Sequence, residues 1–250
     1  MSNILDSILQ IALDAGQVIL QHYHSNVEVQ EKADKSPVTA ADLAANTVIV
    51  GKLQKLTPDV PVLSEESTHT HWQERQFWNT FWLVDPLDGT KEFLKGNGEF
   101  TVNIALIKNG KPVLAVVHAP ALEKSWLGDG RSAWVETSEG REPIKVCSET
   151  IPTVVGSRSH PSPEMANYLN DLKEYKIVSV GSSLKFCLVA EGVAQLYPRL
   201  GPTMMWDTAA GQCIAESAGA KVTLLDGQPL QYHREELLNP YFVCYESSVN

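Results

Sequence analysis

An apolar run, Phe81-Trp82-Leu83-Val84, ends in two carboxylates, Asp85 and Asp88, set three positions apart with Pro86 between them. Proline fixes its own φ and biases the preceding residue away from helix, so the run reads as a buried strand that stops at Asp85 and turns. Two acids at the end of one buried strand repel each other unless a cation sits between them. A second apolar stretch, residues 60–63, also ends in acids, in Ser64-Glu65-Glu66-Ser67, and Asp207 follows Trp206 ahead of a run of small residues. Brought together, Glu65, Asp85, Asp88 and Asp207, with the carbonyl of Leu87, make the hard oxygen set that magnesium prefers. Two such ions a few ångströms apart can clamp the attacking and leaving oxygens of a phosphoryl group. Gly89 and Thr90 suit the complementary task, because a helix starting just after Asp88 would aim free N–H groups at an anion. Thr90 also offers a hydroxyl through which Asp42, if brought near, could take a proton from water. Plainer readings stand beside these. Asp, Pro and Gly are ordinary turn residues, and Asp42 lies three positions after Thr39, where it would cap a helix.

Other phosphatase chemistries fit the spacing poorly. A haloacid-dehalogenase nucleophile needs a second aspartate after one intervening residue, and here two intervene. A cysteine phosphatase needs an arginine six positions after its cysteine, which none of Cys147, Cys187, Cys213 and Cys244 has. There is no Walker loop. Gly128-Asp129-Gly130 reads as a hairpin turn, not a dinucleotide fingerprint. His69 and His71 lie in a polar stretch without a third soft ligand, so they read as loop residues and not a zinc pair.

The elements that must position these groups are legible from period and punctuation. Ile4, Leu5, Ile8, Ile11, Ala12, Ala15, Val18 and Ile19 recur at helical spacing and predict an opening amphipathic helix. A short strand at residues 27–30 and a polar passage at 31–37 lead to a helix over about 40–56. A strand at 60–63 and a polar loop or short helix at 68–76 precede the central stretch. Strands at 100–107 and 113–118 flank Asn109-Gly110, a strong hairpin signal. Further strands are expected at 125–127, 133–136 and 144–146. From residue 153 the rhythm changes to α/β: strand 153–156, helix 163–172, strand 176–180, helix 183–191, strand 194–197. A small-residue helix follows at 208–218, with Asp207 as its expected N-cap, and strands at 221–224 and 241–244 close the chain.

The chain has 250 residues, enough for one large fold or two lobes with a sizeable core. The soft boundary near residues 147–152 divides it into an α+β lobe, 1–150, carrying most of the acids, and an α/β lobe, 151–250, carrying Asp207. A formal net charge of −10 argues against binding nucleic-acid polymers. A small anionic substrate therefore needs local positive charge. Scattered cysteines without a CxxC pair fit free thiols in a reducing compartment. The first twenty residues have no cationic start and are interrupted by Asp6 and Asp14, unlike a signal peptide. No run approaches a transmembrane length, so the expected location is the cytoplasm, and no obligate protein partner is evident.

Taken in order, Glu65-Glu66-Ser67, Asp85-Pro86-Leu87-Asp88-Gly89-Thr90 and Trp206-Asp207-Thr208-Ala209-Ala210-Gly211 resemble the signature of the inositol monophosphatase superfamily. Ser36-Pro37-Val38-Thr39-Ala40-Ala41-Asp42, Gly181-Ser182-Ser183-Leu184-Lys185-Phe186-Cys187 and Leu196-Tyr197-Pro198-Arg199 extend the likeness over most of the chain. Within it, the chain is similar to the bacterial bisphosphate nucleotidases. The resemblance implies a layered α-β-α-β-α sandwich and a phosphatase that depends on two or three Mg²⁺ ions and is sensitive to lithium. It puts Glu65, Asp85, Asp88, Asp207 and the Leu87 carbonyl on the metals, and Glu66 beside them in support. It puts Asp42 and Thr90 on the pair that activates water, against the capping-only reading, and the N–H groups of Gly89 and Thr90 on the phosphate. His160, Ser182, Lys185 and Arg199 resemble nucleotide-contacting positions, and Lys185 and Arg199 are suitable partners for a second phosphate. The implied reaction is removal of the 3′-phosphate of adenosine 3′,5′-bisphosphate, and of its sulfated form, in sulfur assimilation. Inositol monophosphate on the same site is the runner-up, and a silent metal or nucleotide sensor is the reading from another class. Loose attachment to the cytoplasmic face of the inner membrane is a variant that the resemblance allows.

Overall fold

Residues 2–23, 29–31, 37–158, 163–170 and 172–248 are described by the computed structural model. The apolar period of the first segment becomes α1 (Ser2–His22), whose Leu5, Ile8, Ala12, Ala15 and Ile19 are buried. It packs along α2 (Ala40–Leu56) and over β6 (Lys111–Ala119). Contrary to the expectation that no segment reaches membrane-spanning length, Ile4–His22 is long and apolar enough by length and composition alone. Its apolar side is spent on the core. The polar passage before α2 is not all loop, since β2 (Pro37–Thr39) pairs antiparallel with β1 (Val29–Glu31), and the polar stretch at 68–76 holds the short helix α3 (Trp72–Arg75).

Seven strands form the first sheet, in the order β3 (Val62–Ser64), β4 (Thr80–Asp88), β5 (Thr101–Lys108), β6, β7 (Lys124–Gly128), β8 (Ala133–Thr137), β9 (Gly140–Ile144). β3 and β4 run parallel and every other neighbouring pair in this sheet is antiparallel. Asn109 and Gly110 both have positive φ, which the tight β5–β6 turn requires. β9 begins earlier than expected, because Gly140 closes its hairpin with β8. Alternation sorts the central strands between two cores. Trp82, Val84, Val102, Ile104 and Val116 face α1 and α2, whereas Phe81, Leu83, Ala105, Ile107 and Val117 face the other way.

That other side meets α6 (Leu184–Ala190) and α7 (Met205–Ser217), which form the middle layer. Beyond them lies a five-stranded sheet in the order β11 (Lys176–Val180), β10 (Thr153–Ser157), β12 (Leu196–Arg199), β14 (Phe242–Tyr245), β13 (Lys221–Leu224). Its inner residues Val155, Tyr197, Val222, Phe242 and Cys244 join the central core. Its outer Val154, Leu196, Val243 and Tyr245 are covered by Met165, Tyr168 and Leu169 of α5 (Pro163–Leu169). The result is the expected α-β-α-β-α sandwich.

Two further local expectations fail, these at functional positions. β4 does not stop at Asp85 but runs to Asp88 through an irregularity between them. The bulge absorbs Pro86, which has no N–H for a ladder. Asp207 is not the N-cap of α7. Met204 holds that position and Asp207 is the third helical residue, its Oδ2 accepting the Met204 N–H at 2.9 Å.

Candidate active site

Parallel pairing of β3 and β4 sets Ser64 beside Val84, so Glu65, the first residue past β3, stands next to Asp85 of β4. The Glu65 N–H extends that pairing with a bond to the Val84 carbonyl at 3.1 Å. In a regular strand, residues three apart point to opposite faces. The bulge cancels this for Asp85 and Asp88, and both line one cleft. Asp85 Oδ1 accepts the Leu87 N–H at 3.0 Å, which fixes the turn that carries the Leu87 backbone. α7 enters from the middle layer with Asp207 in its first turn.

Carboxylate oxygens of Glu65, Asp85 and Asp207 lie within 4.8 Å of one another. Burial, then the charges of Glu65, Asp88, Asp207 and Asp42, push the Asp85 carboxyl well above its ordinary range. Burial followed by Asp88 and Glu65 does the same to Asp207. Asp88 is also raised by burial, though Lys185 and hydrogen bonds from Ser183 and Asn103 pull it back. Such a set is strained as bare protein and matched to a divalent cation.

Behind Asp88 is a polar network that the sequence reading missed. Asn103 Nδ2 donates to Asp88 Oδ2 at 3.2 Å and to Ser183 Oγ at 2.9 Å. Ser183 Oγ lies 2.9 Å from Asp88 Oδ2 and 2.7 Å from the Asp207 carbonyl, so one side chain touches acids from both sheets' sides of the cleft. Ser183 stood one residue from a named position, but nothing in the sequence marks Asn103, whose role depends on the bulge bringing Asp88 over it.

Asp42 is buried and does two things with two oxygens. Oδ2 accepts the Thr39 N–H at 2.7 Å and the Thr39 hydroxyl at 2.6 Å, as a helix cap. Oδ1 accepts the Thr90 hydroxyl at 3.2 Å, across from the cleft. Burial raises its carboxyl, with Thr39 and Thr90 opposing. Gly89, at φ 94°, turns the chain into the short α4 (Thr90–Lys95).

The cleft has a volume of about 270 Å³ and is also lined by Gly89, Thr90, Ser182, Lys185 and Arg199. Lys185 is buried, its Nζ bonded to the Ser182 carbonyl and lying 5.7 Å from the Tyr197 ring. Burial lowers its pKa to about 8. Arg199 donates from Nη2 to the Pro202 carbonyl, and its buried Nε has no partner among the described residues. Ser182 Oγ is likewise buried without one among the described residues. Glu66 stays out of the cleft lining, and its carbonyl accepts Asn46 Nδ2 at 3.4 Å. His160 lies outside the described residues.

Comparison with known proteins extends over nearly the whole chain. A model of the inositol monophosphatase family matches residues 1–243. A 3′(2′),5′-bisphosphate nucleotidase CysQ of Escherichia coli K12 is 56% identical over 241 residues, 95% of this chain and 98% of that protein. The crystal structure of CysQ from Bacteroides thetaiotaomicron superposes with a TM-score of 0.86 at 40% identity, covering 97% of each chain. An inositol monophosphatase from Anabaena superposes at 0.78 with 27% identity, covering 98% of this chain and 90% of that one.

Proposed function

The chain belongs to the inositol monophosphatase family, and from that membership we propose that it is a 3′(2′),5′-bisphosphate nucleotidase. It removes the 3′-phosphate of adenosine 3′,5′-bisphosphate, giving AMP and phosphate, and accepts the sulfated nucleotide as a second substrate. In the cell this recycles a by-product of sulfate activation. One observation carries the reading: a single cleft is lined both by the carboxylate cluster and by two cationic side chains, Lys185 and Arg199. A monophosphate needs only the first of these, whereas a bisphosphate uses both.

The donor set is all oxygen and mutually repulsive, with Asp85 buried at its centre, which fits Mg²⁺ and not a softer metal. Glu65, Asp85, Asp88, Asp207 and the Leu87 carbonyl would hold two or three ions. When bound, Mg²⁺ supplies polarisation of the ester phosphate and acidifies water. The chain's own groups do the rest. Thr90 orients the attacking water and takes its proton while passing its own to Asp42 Oδ1, with which it is already bonded. The water oxygen attacks phosphorus, the bond to the ribose 3′-oxygen breaks and that oxygen takes a proton from solvent as the 3′-hydroxyl, Asp42 returns its proton to solvent, and no covalent phospho-enzyme forms. N–H groups of Gly89 and Thr90, at the start of α4, face the phosphate oxygens. Lys185 and Arg199 hold the second phosphate, whose charge stabilises the protonated lysine. Three buried free thiols, Cys187, Cys213 and Cys244, suit a reducing cytoplasm.

The test is phosphate release from adenosine 3′,5′-bisphosphate and from inositol monophosphate, each with Mg²⁺, with chelator, and with added Li⁺. Faster turnover of the bisphosphate, abolished by chelator and depressed by lithium, is expected. Faster turnover of inositol phosphate would select the runner-up, and no release from either at millimolar Mg²⁺ would leave only a sensor.

A further inference from the structure

Three hydrogen bonds converge on one carboxylate near the cleft, and none belongs to the chemistry above. Glu99 lies in the connection between α4 and β5. Its Oε2 accepts the Gly181 N–H at 2.8 Å and the Arg158 Nε at 2.7 Å, and its Oε1 accepts Arg158 Nη2 at 2.7 Å. Arg158 Nη2 also donates to the Ser179 carbonyl at 2.7 Å. One side chain from the first sheet's side therefore holds the ends of two strands, β10 and β11, of the second.

The space around this contact is tight. A Cβ on Gly181 would stand 2.7 Å from Glu92 Cγ and 2.8 Å from the Glu99 carbonyl oxygen. The position of a Cβ on Gly89 is 3.2 Å from that same carbonyl and 3.3 Å from Ser182 Cβ. Ser182 is held at φ 45°, a left-handed conformation that a non-glycine residue adopts only when its surroundings impose it. Its carbonyl in turn accepts the Lys185 ammonium. The chain of contact runs from Glu99 to Gly181, Ser182 and Lys185 without a gap.

We propose that Glu99 is a specificity-positioning residue. By pinning the Gly181–Ser182 turn against Gly89, it sets how far the Lys185 ammonium stands from the carboxylate cluster, and so favours two phosphates on one ribose over a single phosphate. The inference rests on the nucleotidase reading. The Gly181 N–H bond, charge-assisted and partly buried, does the positioning. Arg158 is 45% exposed, and a pair so open to solvent orients Glu99 but contributes little energy.

Kinetics of Glu99→Ala, Glu99→Gln and Arg158→Ala on adenosine 3′,5′-bisphosphate and adenosine 3′-monophosphate test it. Glu99→Ala is expected to raise KM for the bisphosphate about tenfold, the loss of one charge-assisted hydrogen bond. Its kcat should change less than about threefold, and its KM for the monophosphate should stay put. Glu99→Gln keeps an acceptor for Gly181 and should restore most of the bisphosphate KM, and Arg158→Ala should shift it only slightly. Should Glu99→Ala not fold, Glu99→Asp withdraws the acceptor by one methylene, keeps the charge, and is read on the same ratio of KM values. Equal KM increases on both substrates, an unchanged bisphosphate KM, or a fall confined to kcat would overturn the inference alone. A parent protein that cleaves the monophosphate and leaves the bisphosphate intact would overturn the nucleotidase reading beneath it.

Discussion

A carboxylate as deep as Asp85, with acids on several sides, costs the fold free energy in the absence of a cation. Asp85→Asn keeps the acceptor for the Leu87 N–H and removes one charge from the cluster. In chelator the variant should melt above the parent, by about 2–4 °C for each kcal/mol of repulsion relieved. Added Mg²⁺ should stabilise the parent far more than the variant, and phosphatase activity should fall by at least about a hundredfold. Differential scanning fluorimetry with and without Mg²⁺ reads the first two effects. A variant that melts below the parent in chelator would mean that the cluster is not repulsive. At this scale the sequence marked residue types well and their partners poorly. Asp42 was legible as a cap from Thr39, yet its bond to Thr90 spans 48 positions and needs the fold. Aspartate suits both the N-cap and the third position of a helix. Nothing local could therefore put the start of α7 at Met204 and not at Asp207.

Among the elements, α1 and β6 meet through Gly16 and His118. A Cβ on Gly16 would stand 2.6 Å from His118 Nε2, and His118 Nδ1 lies 2.9 Å from Ser125 Oγ. Burial pushes this imidazole from its ordinary 6.5 down to about 4. The folded protein thus keeps His118 neutral where the unfolded chain protonates it. Stability contributed by this depressed value is intact above pH 6.5 and is lost as pH falls toward 4, about 2 kcal/mol of it by pH 5. His118→Asn, which can still reach Ser125, should be less stable at pH 7 yet lose about 2 kcal/mol less than the parent between pH 7 and pH 5. Urea titrations at the two pH values check this, and equal losses in both proteins would refute it. Elements with local punctuation were readable: α2 from its capping box, the β5–β6 hairpin from Asn109-Gly110. β4 was cut short because a proline and two aspartates look like an ending. Only the pairing of Asp88 with Thr101 of β5 carries the strand past them.

For the molecule as a whole, α6 and α7 make the middle layer, and Gly211 of α7 lets the two helices approach. A Cβ on Gly211 would fall 2.4 Å from the Phe186 ring, which is itself locked against Tyr197 and Phe242. Gly211→Ala should therefore destabilise by about 1–3 kcal/mol through overpacking, despite the better helix propensity of alanine. A chemical melt showing no loss would mean that the middle layer is looser than described. The layer order was inferred from resemblance and not from period. Hydrophobic spacing shows that a strand exists, but not that β14 inserts between β12 and β13. The same layering has a consequence for synthesis. Glu65 and Asp85 are made early and share one sheet edge, but Asp207 arrives more than a hundred residues later on a helix that must be clasped from both sides. A nascent chain that has released only its first sheet carries Glu65, Asp85 and Asp88 without Asp207, so the acidic cluster is complete only when the last layer closes.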